Sequence, residues 1–308
     1  MNVTQVSYFT LAAYFDTGDF KYLYFLIVSS LYIFIIFANV LPVVAIYKSR
    51  SLHEPMYMFL CSLFVNGLHG STGLFPFLLL QILSDVHVIS APFCFLQIFF
   101  VYTYGSTEFL NLAVMSYDRY LAICHPLQYN TRMTVQKVAV FVAVTWSVVF
   151  LVNFVTLPLI VRLQLCGNVI HKVYCDNHSI VKLSCSDTTL NNIYGLFVSA
   201  FSVFGPLVVI VYTYMKIFKV CFSGSKQTRQ KAVSTCTPHL ASLLNFSFGA
   251  CFEILQSRFD MNSLPNMLRI FLSLYFLTCP PLFNPVMYGL NLSKIRVACK
   301  SLMLNEAC

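Results

Sequence analysis

The chain has 308 residues, of which 58% are hydrophobic and only 10% charged, with a mean hydropathy of +0.75. Soluble domains carry roughly 25% charged residues, so this composition excludes a soluble enzyme or scaffold and points to an integral membrane protein. The formal charge of +8 is spread over short segments between apolar runs, so it orients the chain in a membrane and is not the footprint of a nucleic acid.

Residues 1–20 carry Asp16 and Asp19 without a basic start or a short apolar core before a small-residue cleavage site, so no cleavable signal peptide is expected. Asn2-Val3-Thr4 is a glycosylation acceptor, with Asn2 the modified residue, if this segment lies outside the cell. The first charge-free run, 22–47, contains Asn39, and the second, 55–84, opens on Pro55-Met56-Tyr57 and holds Asn66 and Gly67. Each exceeds the roughly 20 residues that cross a bilayer.

A third apolar segment, about 93–124, carries Glu108 and ends on Asp118-Arg119-Tyr120. A charged side chain at bilayer depth costs roughly 2.5 to 3.5 kcal/mol, whereas at the membrane edge it reaches water and partner proteins. Asp118 and Arg119 therefore read as a switch at that edge, against the plainer alternative of a rim arginine snorkelling to headgroups. Glu108, about three turns deeper, is expected in a buried polar network, the plainer alternative being a protonated glutamic acid hydrogen-bonded to neighbouring backbone or hydroxyl groups; Asn39 and Asn66 are the other expected buried polar residues.

Further charge-free runs cover 138–161, 188–215, 232–252 and 270–293. The runs are continuously apolar, where barrel strands would alternate, so the prediction is an all-α membrane protein with seven transmembrane helices. Pro42, Pro76, Pro158, Pro206, Pro238, Pro280, Pro281 and Pro285 fall inside these spans, where each removes a backbone hydrogen bond and favours a kink. Residues 293–304 alternate Lys294, Arg296 and Lys300 with Ile295, Val297, Leu302 and Met303, the pattern of a short amphipathic eighth helix on anionic lipid. One domain, 1–308, accounts for everything: an extracellular segment 1–21, the bundle 22–290 and a cytoplasmic tail 291–308.

Thirteen of the nineteen basic residues fall between spans 1 and 2, 3 and 4, 5 and 6, or after span 7, and the positive-inside rule makes those loops cytoplasmic. Cys94, Cys166, Cys175 and Cys185 then lie outside, where four oxidised cysteines allow three connectivities. His171 and His178 beside Cys175 lack a zinc-like pattern, so no metal is expected. No nucleophile elbow or phosphate-cradling glycine loop appears, so the chain is not expected to be an enzyme.

Seven spans, Asp118-Arg119-Tyr120 and Asn284-Pro285-x-x-Tyr288, with Asn39 and the lone Trp146, together resemble the rhodopsin-like G-protein-coupled receptors. Pro55-Met56-Tyr57, the stretch Met115 to Cys124, His125-Pro126-Leu127-x-Tyr129 and Lys231-Ala232-x-Ser234-Thr235-Cys236-x-x-His239 narrow the likeness to the olfactory (odorant) receptors, over essentially the whole chain. Pro238, Phe248-Gly249 and Cys251-Phe252-Glu253-Ile254 resemble its fish-like branch for water-soluble odorants. The resemblance implies bridges Cys94–Cys175 and Cys166–Cys185, and a resting pair Asp118–Arg119 that opens toward Tyr214 and Tyr288 on activation. No cofactor is implied. A sodium ion would have Glu108 as its one carboxylate, because Gly67 stands where the family has an aspartate.

Helical spacing from Arg119 and Pro285, together with the family's pocket positions, gives the expected ligand site. Its walls are Val101, Tyr102, Gly105 and Ser106 in span 3 and Phe197, Phe201 and Ser202 in span 5. Phe248, Phe252 and Leu255 in span 6 and Leu274, Leu277 and Thr278 in span 7 complete it. Helix packing alone would give similar stripes. Arg258 offers a guanidinium fork to a carboxylate ligand, against the alternative of an ion pair with Asp260.

The expected function is an odorant-activated receptor of the plasma membrane, its N-terminus outside. Its partners would be a small odorant, membrane lipid and a stimulatory olfactory-type G protein that raises cAMP. A metabolite chemoreceptor of the same fold is the alternative. A channel or carrier would need a polar path, and only Glu108 and Glu253 interrupt the spans. A retinal photoreceptor needs a Schiff-base lysine that 270–293 lacks.

Overall fold

A computed structural model of the chain describes residues 6–14, 18–224, 226–258 and 265–305. Among them are seven long helices: α1 (Phe20–Lys48), α2 (Pro55–Leu83), α3 (Ala91–Cys124), α4 (Val135–Val161), α5 (Thr189–Ser223), α6 (Lys226–Arg258) and α7 (Asn266–Asn291). The shorter α8 (Ser293–Asn305) follows at once. Asn2, Asp16 and Asp260 lie outside the described residues, so the glycosylation site and the proposed partner of Arg258 have no structural account.

Five of these helices, α1, α2, α4, α5 and α7, are apolar and long enough to cross a membrane by composition alone. The two that are not have physical reasons. α3 is the hub of the bundle and buries Gln97, Thr103, Glu108, Asn111 and Asp118 among other polar groups, because it packs against protein where α1 and α4 face lipid. α6 starts on the polar stretch Lys226–Lys231, which prolongs the helix beyond its apolar run. By contrast α1 buries only Ile35, Asn39, Pro42, Ala45 and Ile46, and α4 leaves Leu151 and Phe154 about two-thirds exposed. Such outward apolar faces are what a lipid-facing helix presents.

Helices α2 and α3 approach closely because Gly70 leaves room for the fully buried ring of Tyr104. A Cβ at position 70 would lie 2.4 Å from that ring. α5 is not a regular helix: Ala200–Phe204 form a π turn immediately before Pro206. Proline has no N–H to give the carbonyl four residues back, and a π turn is one way a helix absorbs that loss.

At the end of the bundle away from α8, a three-stranded sheet departs from the all-helical expectation. β1 (Tyr8–Leu11) runs antiparallel to β2 (Val88–Ser90) and parallel to β3 (Val169–Ile170), with Tyr8 opposite Ser90 and Thr10 opposite Val169. Phe9, Leu11, Ile89 and Ile170 point into a small core with Ile98, Ile160 and Ile180. The strands are only two to four residues long, too short to leave a periodic signal in sequence. Cys94 at the start of α3 is bridged to Cys175, and Cys166 to Cys185. The side-chain oxygen of Gln97 also accepts the Cys175 N–H at 2.9 Å. The segment between α4 and α5 is thereby folded down over the helix ends.

Candidate functional site: a cavity and a clasp joined by α3

At the α8 end, Arg119 bonds its neighbour: Nε donates to Asp118 Oδ2 at 3.0 Å, and Nη2 closes an ion pair with the same oxygen. The other Asp118 oxygen accepts the Tyr129 hydroxyl at 2.7 Å. The Asp118 carboxylate is thus filled from both sides, and Arg119 is held along its own helix.

Tyr214 and His239 are engaged with each other. The Leu112 carbonyl, 2.9 Å from His239 Nε2, can only accept, so Nε2 carries the proton and Nδ1 accepts the Tyr214 hydroxyl at 2.7 Å. This pair ties α5 and α6 to α3. Tyr288 packs edge-on against Phe64 of α2, 6.4 Å between centroids. Tyr120 turns to His125, 2.9 Å from its Nε2, and stands apart from this cluster. The cleft enclosed by Arg119, Thr235, Pro238, His239 and Tyr288 holds about 10 Å³, no more than a single water needs. This end of the bundle is closed.

Midway along α3, Glu108 accepts Asn66 Nδ2 and Asn284 Nδ2, both at 2.7 Å. Both carboxylate oxygens therefore serve amide donors from α2 and α7. Asn39 does different work: its Nδ2 donates to the Pro281 carbonyl at 2.8 Å. That carbonyl has no intrahelical partner, because the residue four positions on is Pro285. Likewise the Tyr104 hydroxyl reaches the Phe276 carbonyl at 3.4 Å, where Pro280 supplies no N–H. Thus α7 keeps its prolines because α1 and α3 satisfy what the prolines leave open.

Toward the sheet end, α3, α5 and α6 enclose a cavity of about 150 Å³. Val101, Tyr102, Gly105, Ser106 and Phe109 of α3 form one wall; Val198, Ser199 and Ser202 of α5 form another. Phe246, Ala250, Glu253 and Ile254 of α6, with Phe276 of α7, close it, and Thr156 of α4 and Tyr194 of α5 add hydroxyls. Asp176 and Asn177, in the segment folded over the helix ends, form the roof.

Several expected wall residues sit elsewhere. Phe197 and Phe201, one turn apart, are 61% and 42% exposed on the outer face of α5, while Val198 and Ser202 take the inner face. Phe248 is 56% exposed and packs edge-on against Tyr275, and Leu255 is 44% exposed. Phe252, on the same helix, is half-buried outside the cavity wall. On α7, Leu277 packs in the core with Tyr104 and Phe246, and Thr278 donates to the Leu274 carbonyl at 2.8 Å. Leu274 itself lines a separate cavity of about 530 Å³ between α1, α2 and α7, beside Tyr14 and Ile82. Arg258 closes α6, and its side chain lies outside the described residues.

Three charged residues at the cavity roof had no assigned role in the sequence. Lys172 Nζ lies 2.5 Å from Asp176 Oδ2 and 2.5 Å from Glu253 Oε1. Asp176 also caps the short helix Asn177–Lys182, accepting the Ser179 N–H at 2.6 Å. Burial alone would raise the Asp176 carboxyl, but Lys172 and the Ser179 donors outweigh it and hold the group below the usual carboxylate range. Burial likewise opposes the Lys172 ammonium, and the two carboxylates outweigh it, raising Lys172 above an ordinary lysine. Glu253 was visible as a charge at the end of an apolar run. Lys172 and Asp176 were not, because only the Cys94–Cys175 fold-back brings them to α6.

A family profile described as "Olfactory receptor" matches residues 28–306. The chain belongs to the olfactory receptor family. The receptor is 33% identical to human olfactory receptor 11A1, over 97% of this chain and 94% of that one. It is 36% identical to human olfactory receptor 4X2, over 91% of each chain. With mouse olfactory receptor 4M1 it shares 30% identity, over 98% of this chain and 96% of that one. Among solved structures, squid rhodopsin superposes with a TM-score of 0.74 at 18% identity, covering 93% of this chain and 87% of the other. That likeness speaks for the fold: a rhodopsin-like seven-helix bundle. The receptor is therefore a G-protein-coupled odorant receptor that crosses the plasma membrane several times, and its family is not one of enzymes.

Proposed function

We propose that a small odorant reaches the cavity between α3, α5 and α6 from outside the cell, with the N-terminus and sheet on that side. The bound ligand would favour a state in which α6 moves away below Pro238, and differential affinity for that state is the whole driving force. The clasp would then open, freeing Arg119 toward Tyr214 and Tyr288. The cleft so formed, bordered by Lys226–Lys231, would accept a stimulatory olfactory-type G protein and raise cAMP.

One observation carries this reading: the cavity and the closed clasp share α3 and α6 as walls, and a continuous set of buried contacts joins them. Phe109 meets Phe246 at 4.8 Å between centroids, and Phe246 meets Phe276 at 5.4 Å. Glu108, next to Phe109, holds Asn284 of the segment that ends on Tyr288. The charge pattern supports the orientation, since thirteen basic residues lie toward the α8 end.

The test is Arg119→Ala in a cAMP reporter cell. Surface expression is expected to persist and ligand-stimulated cAMP to vanish; full signalling by this variant would refute the assignment.

A further inference from the structure

The cavity roof has an unequal charge count. Two carboxylates, Asp176 and Glu253, line the cavity, and they share the single ammonium of Lys172, which does not line it. Lys172 is 7% exposed, engaged on two sides and set 5.9 Å from the centroid of the Tyr174 ring. It is turned away from the ligand space. The roof therefore presents a net negative charge to whatever occupies the cavity. Asn177, which follows Asp176 in the chain, lines the same cavity, and its buried Oδ1 has no hydrogen-bond partner. A buried acceptor left unfilled by the protein costs free energy, roughly 1–3 kcal/mol, until a donor reaches it. Opposite the roof the walls are apolar, with Val101, Phe109, Val198, Phe246 and Phe276.

We infer that the receptor's ligands are small protonated amines, with the ammonium held at the roof by Glu253, Asp176 and Asn177 and the apolar body below it. This rests on the cavity being the odorant site. A primary ammonium brings three N–H donors and no acceptor, which suits a cavity roof lined by two carboxylates and an amide. Its positive charge balances the second carboxylate, which Lys172 only shares. A carboxylate ligand would meet two like charges and could reach Lys172 only by displacing one of them. The size limit is set by the 150 Å³ cavity, a volume of the order that takes one benzene ring. A chain of about six carbons or a single ring is the expected body.

The experiment uses the full-length receptor purified into lipid nanodiscs, with hexylamine, hexanol and hexanoate as probes at neutral pH. Thermal unfolding is expected to shift upward with hexylamine and little with the other two. In Glu253→Gln the amine's half-maximal concentration rises more than about tenfold, the order expected when one partner of a buried charge pair is removed. Glu253→Asp, which keeps the charge, and Arg258→Gln, which removes a cation five residues further along α6, retain the amine preference. Should Glu253→Gln fail to fold, Glu253→Asp and the amine-to-alcohol ratio of the unaltered receptor still decide. The inference is overturned if hexanol or hexanoate stabilises as well as hexylamine, if the amine shift survives in Glu253→Gln, or if none of the three shifts unfolding. Measuring cAMP in cells with the same compounds separates the two readings. Stabilisation by amine without cAMP would remove the signalling mechanism alone, whereas cAMP raised by neutral odorants through this cavity, without amine preference, would remove the amine assignment alone.

Discussion

Asn39 shows how one side chain carries a structural debt incurred on another helix. Pro285 cannot serve the Pro281 carbonyl, and Asn39 Nδ2 does so at 2.8 Å while also donating to Ile35 of its own helix. Asn39→Leu should therefore leave a buried carbonyl unsatisfied, at a cost of about 1–3 kcal/mol. A lower unfolding temperature of the purified receptor is the expected result, and unchanged stability would mean another donor reaches Pro281. Gly67 sits against the same asparagine: a Cβ there would lie 3.0 Å from Asn39 Oδ1. Any side chain at this position would require the Asn39 amide to give way by a few tenths of an ångström. The departure at Gly67 and the arrangement of Asn39 are thus one local solution, and the Glu108 carboxyl oxygens accept Asn66 and Asn284 beside it.

At the scale of the helix, the contact between α2 and α3 depends on a missing side chain. Gly70→Ala would place a methyl 2.4 Å from the Tyr104 ring, which is fully buried and also holds the Phe276 carbonyl. Overpacking of this kind costs about 1–3 kcal/mol, so surface expression and thermal stability should both fall. Retention of both would show that α2 and α3 can part without loss. α5 makes the opposite point. Its π turn over Ala200–Phe204 precedes Pro206, and Phe197 and Phe201 face outward while Val198, Ser199 and Ser202 face the ligand space. Spacing arguments assume 3.6 residues per turn throughout, so they hold on α3, where Val101, Tyr102, Gly105 and Ser106 follow from regular steps back from Arg119. They fail on α5, because neither anchor, Arg119 nor Pro285, lies on that helix to set its phase. The seven helices were legible because continuous apolar runs survive any such local irregularity. The outer sheet was not, since its strands are shorter than a periodicity can register. The Lys172–Asp176–Glu253 cluster was not either, since a disulfide 81 residues apart in sequence assembles it.

Across the whole molecule, the cavity at one end and the clasp at the other are parts of a single equilibrium if the proposed function holds. The closed cleft of about 10 Å³ beside Arg119 leaves no room for a partner helix, so the described conformation is the one a G protein must disfavour. Linkage then makes a demand in the reverse direction. If ligand binding eases G-protein binding by some factor, the G protein must tighten ligand binding by that same factor, typically 5- to 150-fold for couplings of about 1–3 kcal/mol. Nucleotide-free stimulatory G protein added to the purified receptor should therefore lower the ligand's half-maximal concentration in a binding assay. Arg119→Ala should abolish that gain while leaving the ligand's affinity for the isolated receptor unchanged, because Arg119 lies outside the cavity wall and bonds Asp118 at the closed end. A variant that lost affinity in the absence of G protein would place Arg119 in the architecture of the ligand site, and the two ends would no longer be separable parts of one switch.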